Sequence, residues 1–288
     1  MPTPQQLIEA HEQAGTYFEA AGVQSFVRQE GDGEPVVCMH GVPSSSYLYR
    51  KLLPVLGKEG YRGIAFDLPG LGLAQRPQDF DYSWTGLGKW SSNAVDSLGL
   101  DRYHLVIHDI GGPVGMEMVA RQSERILSLT ILNTLIVNLP QFKKPWSMRP
   151  FGWKGIGELY LASMQPQIFA PLMYLQGVED RAAFSKEDGA AYVHLLKRED
   201  KGRAFLQIMR SFENTQAKED LYLKALKQVK GPKQIIWGAK DPALSLNRFG
   251  RQTQEITGVE RFFALPAKHF LQEDQAPEIG HLIREMNQ

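Results

Sequence analysis

One acidic residue of this chain stands where a nucleophile could be held. Asp109 follows the apolar run 105–108, and residues 110–112 bring two glycines before a helical segment. A strand, a reactive residue, glycines and a helix are typical of a nucleophile elbow, the sharp turn that exposes one side chain at the edge of a sheet. An aspartate is already ionised at pH 7. It can therefore displace a leaving group from saturated carbon and become an alkyl ester.

Two later residues could hydrolyse such an ester. Water attack needs a general base, usually a histidine that a second acid orients. Asp241 lies in the loop after one β-rich run, and His269 lies in the loop after the next. An aspartate can also cap a helix or form a turn. The glycines and the order of the partners favour catalysis, and we predict a triad of Asp109, Asp241 and His269.

The oxyanion formed during ester hydrolysis needs hydrogen-bond donors. His40, Gly41, Val42 and Pro43 follow the β-rich run 36–39. We expect the backbone N–H groups of Val42 and Ile110 to point at the oxyanion, since preorganised main-chain donors commonly serve this role. Aliphatic side chains are tolerated at both positions because only the main chain takes part.

Short apolar runs alternate with longer amphipathic segments through most of the chain. This alternation predicts an α/β fold, with a mostly parallel central sheet flanked by helices. Continuously apolar strands agree with this, because parallel strands are buried on both faces. The predicted strands are 16–20, 25–29, 36–39, 63–66, 103–107, 128–132, 234–237 and 260–265, and the predicted helices are 45–58, 83–98, 113–122 and 276–286.

The pattern changes in the middle of the chain. Residues 138–220 contain no convincing strand, and helical patterns occur at 156–164, 168–175, 189–197 and 204–212. A helical insertion between consecutive strands covers their carboxyl ends, where open α/β sheets bind ligands. We therefore predict a core domain of residues 1–137 and 221–288, and a helical cap of residues 138–220.

Four motifs in order resemble one branch of the α/β-hydrolase superfamily. The resemblance extends from about residue 25 to residue 285 and is to the aspartate-nucleophile enzymes, the epoxide hydrolases and haloalkane dehalogenases. It implies an α/β-hydrolase fold with an inserted cap and the triad order found here. The motifs are HGVPSSSY at 40–47, FDLPGLG at 66–72, HDIGG at 108–112 and HFLQED at 269–274.

The chain departs from the dehalogenase pattern at two positions. Haloalkane dehalogenases typically hold the halide with a Trp directly after the nucleophile and often with an Asn in the HGxP motif, and this chain has Ile110 and Val42 there. A buried halide without donors is costly. Trp146 or Trp153 near the start of the cap could supply one N–H. A dehalogenase-like enzyme with an atypical halide site is therefore the alternative.

The chain also departs from the epoxide hydrolase pattern. These enzymes use one or two cap tyrosines as the acid for the ring oxygen, and Tyr160 is our candidate. The position that corresponds to the second cap tyrosine is Met209-Arg210, which contains no tyrosine. Tyr174 and Tyr192 fit better as packed side chains of the cap. We still favour an epoxide hydrolase that converts small apolar epoxides to diols, because an alkoxide can take its proton from one Tyr or from water.

Four further residues are predicted around the substrate: His40, His108, Trp153 and Tyr160. The two histidines flank the triad, and we expect them to orient loops through hydrogen bonds. A non-catalytic small-molecule receptor on the same fold is a further alternative, because fold does not fix function. The intact triad argues against it.

Composition limits the partners. Lys+Arg and Asp+Glu are both 32, so net charge gives no reason to expect a nucleic acid or an anionic membrane. The polar N-terminus lacks the features of a signal peptide, and no apolar stretch is long enough to span a membrane. We expect a soluble, cytoplasmic monomer or homodimer that acts on a small apolar organic substrate and water.

No metal or cofactor is expected. Cys38 is the only cysteine and lies in an apolar run, so we predict an inert buried thiol and no intrachain disulfide. The histidines show no metal-ligand spacing. The glycines at 70–72 and 111–112 do not extend to a dinucleotide-binding fingerprint.

Overall fold

A single eight-stranded sheet forms the centre of the protein. The computed structural model describes residues 2–138 and 142–288. The strand order is β1-β2-β4-β3-β5-β6-β7-β8, with β2 antiparallel to its neighbours and the other pairs parallel. The strands are β1 Gly15–Ala20, β2 Val23–Glu30, β3 Glu34–Met39, β4 Tyr61–Phe66, β5 Tyr103–Asp109, β6 Ile126–Thr134, β7 Lys233–Gly238 and β8 Arg261–Leu265.

The predicted α/β-hydrolase fold is confirmed, and each predicted strand is present. Most strands extend one or two residues beyond the predicted ends. The central strands β3, β5, β6 and β7 are almost entirely buried, as expected for parallel strands covered on both faces. Their parallel registers bring the carboxyl ends of β5, β6 and β7 to one edge of the sheet.

Helices pack on this sheet, and several of them lie in the chain segment between β6 and β7. The first helix was not predicted: its sequence is mostly polar, with Ile8 and His11 as its buried residues, and Thr3 caps its N-terminus. The described α-helices are α1 Pro4–Gln13, α2 Leu52–Lys58, α3 Trp84–Ser97, α4 Gly111–Gln122, α5 Ile156–Ser163, α6 Pro166–Leu172, α7 Lys186–Lys197, α8 Arg203–Arg210, α9 Gln216–Gln228, α10 Arg251–Thr257 and α11 Ala276–Met286.

The described residues between β6 and α9 form helices joined by loops and turns, with no strand among them. We call residues 142–215 the cap; they contain α5 to α8, and the predicted positions 139–141 lie outside the described residues. The predicted boundary at residue 220 falls inside α9. This helix packs on α4, where Glu117 accepts hydrogen bonds from Lys218 and Tyr222. Residue 220 thus lies within a helix that contacts the core, and the predicted domain division stays a prediction.

A buried ionic network joins the cap to the core. Arg50 contacts Asp188 of α7 at 2.7 Å and Glu273 at 2.6 Å. Tyr47 donates to Asp188, and Tyr192 of α7 donates to Glu273. Each acidic group thus has a cationic partner and a phenol donor. Removing one partner of such a buried pair is strongly destabilising, so these contacts fix the side of the cap that contains α7.

Within the described ranges, no helix combines the length and the apolar character that a membrane crossing requires.

Candidate active site

Asp109 is the last residue of β5 and sits in a strained turn. Its φ is +51°, in the left-handed region that non-glycine residues seldom adopt. Helix α4 begins two residues later, at Gly111. A Cβ atom on Gly112 would lie 1.8 Å from Thr134 Oγ1, so this turn requires glycine there. The local sequence therefore forms the predicted elbow and holds the carboxylate at the sheet edge.

The Asp109 carboxylate has a partner on each oxygen. Its Oδ1 accepts the backbone N–H of Val42 at 2.7 Å, and its Oδ2 lies 3.3 Å from His269 Nε2. Burial alone would raise the pKa of Asp109, but the hydrogen bond and charge of His269 hold this pKa below its usual value. The carboxylate is therefore ionised at neutral pH and available as a nucleophile.

His269 is oriented by Asp241, and both carboxylate oxygens of Asp241 accept hydrogen bonds. His269 Nδ1 lies 2.7 Å from Asp241 Oδ2, and the same oxygen accepts from Asn133 Nδ2 at 2.7 Å. Asp241 Oδ1 accepts the backbone N–H groups of Ala243 and Leu244. These donors and the charge of His269 lower the pKa of Asp241 in spite of its burial. The structure thus brings the three predicted triad residues together in one hydrogen-bonded chain.

The charge state of His269 depends on both carboxylates. Burial would lower the pKa of His269, but Asp241 and Asp109 raise it well above its ordinary value. The two carboxylates therefore favour the protonated form of the imidazole. If Asp109 becomes a neutral ester, one of the two negative neighbours is lost and the pKa of His269 falls. The imidazole can then release its proton and act as a base.

Asn133 is a site residue that the sequence analysis missed. It lies near the end of β6, donates to Asp241 and accepts the backbone N–H of Gly238 at 2.7 Å. It therefore fixes the acid of the triad to two neighbouring strands. The available signal was a polar pair, Asn133-Thr134, directly after the apolar run of β6.

A cavity of about 120 Å³ opens above Asp109 and His269. Core residues Val42 and Ile110 line it beside the nucleophile, and cap residues cover it. Most of the cap side chains are apolar, among them Met164, Phe169, Met173 and Met209. An apolar cavity of similar size can hold a molecule such as benzene. The cavity therefore has room for a small apolar molecule beside Asp109.

The four residues predicted to contact the substrate are not among those that line this cavity. His40 and His108 are fully buried behind the triad and do not line the cavity. His40 Nδ1 donates to the Gly41 carbonyl, and its Nε2 accepts the Leu68 N–H at 3.0 Å. His108 Nε2 donates to the carbonyl of His269 at 2.9 Å. Both hold loops, as expected, but their buried rings cannot reach a substrate.

The two predicted cap residues also point away from the cavity. Trp153 is 56% exposed, and the ring of Tyr160 packs on Phe151 with centroids 4.9 Å apart. Tyr174 donates to the carbonyl of Phe184, while the hydroxyl of Tyr192 is used by the ionic network. The spacing of apolar residues in the cap helices does not show which face of each helix meets the core. The cap tyrosines have packing roles.

Other polar groups of the cap and core do line the cavity. They are Lys144, Ser147, Gln176 and Trp84. Ser147 Oγ donates to Gln176 Oε1 at 2.9 Å. The Nε1 of Trp84 is buried without a partner among the described residues. The sequence analysis missed all four, because nothing in their spacing distinguishes them from ordinary surface or core positions.

The described residues contain no group of three or more His, Cys, Asp or Glu side chains arranged to hold a metal ion.

A carboxylate elbow, a His–Asp pair after the last two strands and a cap inserted after β6 define an α/β-hydrolase. The chain belongs to the alpha/beta hydrolase fold family, whose profile matches residues 34–276.

Two relatives of named activity are similar over most of the chain. Haloalkane dehalogenase 2 of Mycobacterium tuberculosis is 26% identical over 284 residues, which cover 93% of each chain. The cis-3-alkyl-4-alkyloxetan-2-one decarboxylase of Shewanella oneidensis is 29% identical over 260 residues, which cover 87% of this chain and 80% of the relative.

A solved structure has the same fold. The crystal structure of an epoxide hydrolase from Vigna radiata superimposes with a TM-score of 0.73 and 22% identity, and covers 94% of this chain and 96% of that one. At this identity the likeness concerns the fold alone.

Proposed function

We propose that the protein hydrolyses small apolar epoxides to diols through an alkyl ester on Asp109. One observation carries the proposal. An ionised carboxylate, held by the Val42 N–H and facing His269, lies at the floor of a small apolar cavity. Such a carboxylate is suited to attack carbon, while an apolar cavity selects an apolar substrate.

The first step is displacement at a ring carbon. One oxygen of Asp109 forms a bond to that carbon, and the ring C–O bond breaks towards its oxygen. The apolar walls exclude water, which strengthens the attack of a charged nucleophile. The opened oxygen then needs a proton.

The second step is hydrolysis of the ester. Loss of the Asp109 charge lowers the pKa of His269, so the imidazolium releases its resting proton to solvent. The neutral imidazole then takes a proton from water as the water attacks the ester carbonyl carbon. The backbone N–H groups of Val42 and Ile110 would stabilise the oxyanion. Collapse releases the diol and leaves Asp109 as a carboxylic acid, with His269 returning the water proton to the departing oxygen. The carboxylic acid then passes its proton to His269, which restores the carboxylate and the imidazolium.

A strained oxygen ring suits this site better than a halide. The side chains beside the nucleophile, Val42 and Ile110, have no donor for a departing anion. A proton can neutralise an oxygen leaving group, whereas a halide ion needs hydrogen-bond donors that stay in contact with it. The relative from Shewanella is also named for an oxetan-2-one, which is a strained ring that contains oxygen.

Dehalogenation remains the second candidate, and one feature favours it. Trp84 lines the cavity with its indole N–H unpartnered among the described residues. This N–H could bind a halide, and haloalkane dehalogenase 2 is a relative over nearly the full chain.

A His269→Gln variant separates these candidates. It should form the ester but fail to hydrolyse it, so the adduct accumulates for intact-mass measurement. With 1,2-epoxybutane we expect addition of the whole epoxide, mapped to Asp109 by peptide analysis. With 1-bromobutane, addition of a butyl group would favour dehalogenation. The Asp109→Asn/His269→Gln double variant is the control and should stay unmodified. If the wild type consumes 1,2-epoxybutane and no adduct forms on His269→Gln, the proposed mechanism is wrong.

A further inference from the structure

We infer that Lys144 of the cap donates the proton that neutralises the leaving oxygen when Asp109 opens the ring. This inference rests on the proposed function and assigns the acid that the cap tyrosines do not supply. Lys144 lines the same cavity as Asp109 and His269.

The Lys144 ammonium is held between two residues that themselves line the cavity. Its Nζ donates to the backbone carbonyl of Met209 and lies 4.1 Å from the centre of the Phe212 ring. The carbonyl accepts a hydrogen bond from one of its three N–H groups, and the ring face interacts with part of its positive charge. The proposed role uses one of the two remaining N–H groups of the Lys144 ammonium.

The Lys144 ammonium has no carboxylate partner among the described residues. Among the described residues, no acidic side chain lies within ion-pair distance of Lys144 Nζ, although most buried cations are paired. The charged side chains nearest to it along the chain are also cationic. Arg149 donates to the backbone carbonyl of Lys144, and Lys143 is exposed. An unpaired cation in an apolar cavity is suited to an oxygen that becomes negative during the reaction.

The environment also makes Lys144 a better acid. Burial lowers its pKa below the ordinary lysine value, because the charged form loses hydration. An acid is more effective when its pKa lies nearer the working pH. The lysine therefore transfers its proton more readily than an exposed lysine would.

The protons balance over one turnover. Ring opening forms the Asp109–carbon bond, breaks the ring C–O bond and moves one proton from Lys144 to the oxygen. Hydrolysis consumes one water and returns Asp109 as a carboxylic acid, whose proton restores the imidazolium of His269. Lys144 regains its ammonium proton from solvent, which received the resting proton of His269 when the ester formed. The net reaction is epoxide plus water to diol, with no other reactant.

Two variants in the His269→Gln background test the inference. The rate constant of adduct formation with 1,2-epoxybutane is measured by intact mass for His269→Gln, for His269→Gln/Lys144→Met and for the control His269→Gln/Lys143→Met. General acid catalysis typically contributes 10²–10⁴-fold. We therefore expect Lys144→Met to slow the reaction by about 100-fold or more, while Lys143→Met leaves it unchanged. Equal rates in the Lys144→Met variant and the control would overturn the inference.

A pH profile of the His269→Gln parent keeps the test independent of how Lys144→Met folds. Without His269, Asp109 and Lys144 are the titratable side chains that line the described cavity. The rate constant should be level at neutral pH and fall above the lowered pKa of Lys144. A rate constant that stays level or rises up to pH ~10.4, the ordinary lysine pKa, would overturn the inference.

Failure of the inference differs from failure of the proposed function. If the parent variant forms the epoxide adduct but shows neither the Lys144 dependence nor the alkaline fall, the acid assignment alone is wrong. If the parent forms no adduct at any pH, the proposed function itself fails, and the assignment of Lys144 is rejected with it.

Discussion

Substitution of Gly41 by alanine should displace the nucleophile without removing any functional group. A Cβ atom at this position would lie 2.1 Å from Asp109 Oδ1 and 2.6 Å from its Cγ. Ordinary contacts of a Cβ atom begin at 3.4 Å. The carboxylate or the loop that carries Val42 must therefore shift by more than about 1 Å, and a misplacement of this size can cost about 100-fold in rate.

The assay follows the growth of the 1,2-epoxybutane adduct on His269→Gln with and without Gly41→Ala. We expect an alkylation rate about 100-fold lower, with an overpacking cost of roughly 1–3 kcal/mol in the free energy of unfolding. Gly57→Ala is the matched control, since a Cβ there meets its nearest atoms at 3.4 Å or more.

One result would refute this reasoning. If Gly41→Ala is alkylated as fast as Gly57→Ala while both remain folded, the position of the Asp109 carboxylate against the Val42 N–H does not control the attack.

Three further outcomes follow from the contacts of single side chains. Trp153→Phe should leave the steady-state rate unchanged because this side chain is exposed and away from the cavity; a clear loss of activity would contradict that placement. Lys218→Met should lower the free energy of unfolding by about 3 kcal/mol in urea titrations, because it leaves the buried Glu117 carboxylate without its cation; an unchanged midpoint would show that the pair adds nothing. Asp109→Asn should lower the pKa of His269 in an NMR titration, since removing one negative neighbour destabilises the imidazolium; an unchanged or higher pKa would contradict the proposed coupling.

The sheet and the elbow were predictable because their signals are local. Each strand is a short apolar run that ends in turn-forming residues, and parallel strands place their carboxyl ends at one edge. Asp109 ends one such run, and Asp241 and His269 lie in the loops that follow two others. Their meeting in space is a consequence of strand order, which the motif order already indicates.

Residues whose role depends on packing between distant segments were not predictable. Asn133 acts through Asp241 and Gly238, which lie more than a hundred positions along the chain. The faces of the cap helices depend on the core that they cover, so the sequence pattern could not distinguish Tyr160, packed on Phe151, from Lys144, which lines the cavity. Helix α1 was missed because a short helix with few buried residues has a weak periodic signal.

The most direct test of the central claim is a single turnover of the wild type in water labelled with oxygen-18. With the enzyme in excess over 1,2-epoxybutane, water attacks the ester carbon, so the new hydroxyl of the first diol must come from Asp109. We predict unlabelled diol and oxygen-18 in the Asp109 carboxylate, detected by peptide mass. Labelled diol and an unlabelled Asp109 would mean that water attacks the substrate directly, and would contradict the covalent mechanism.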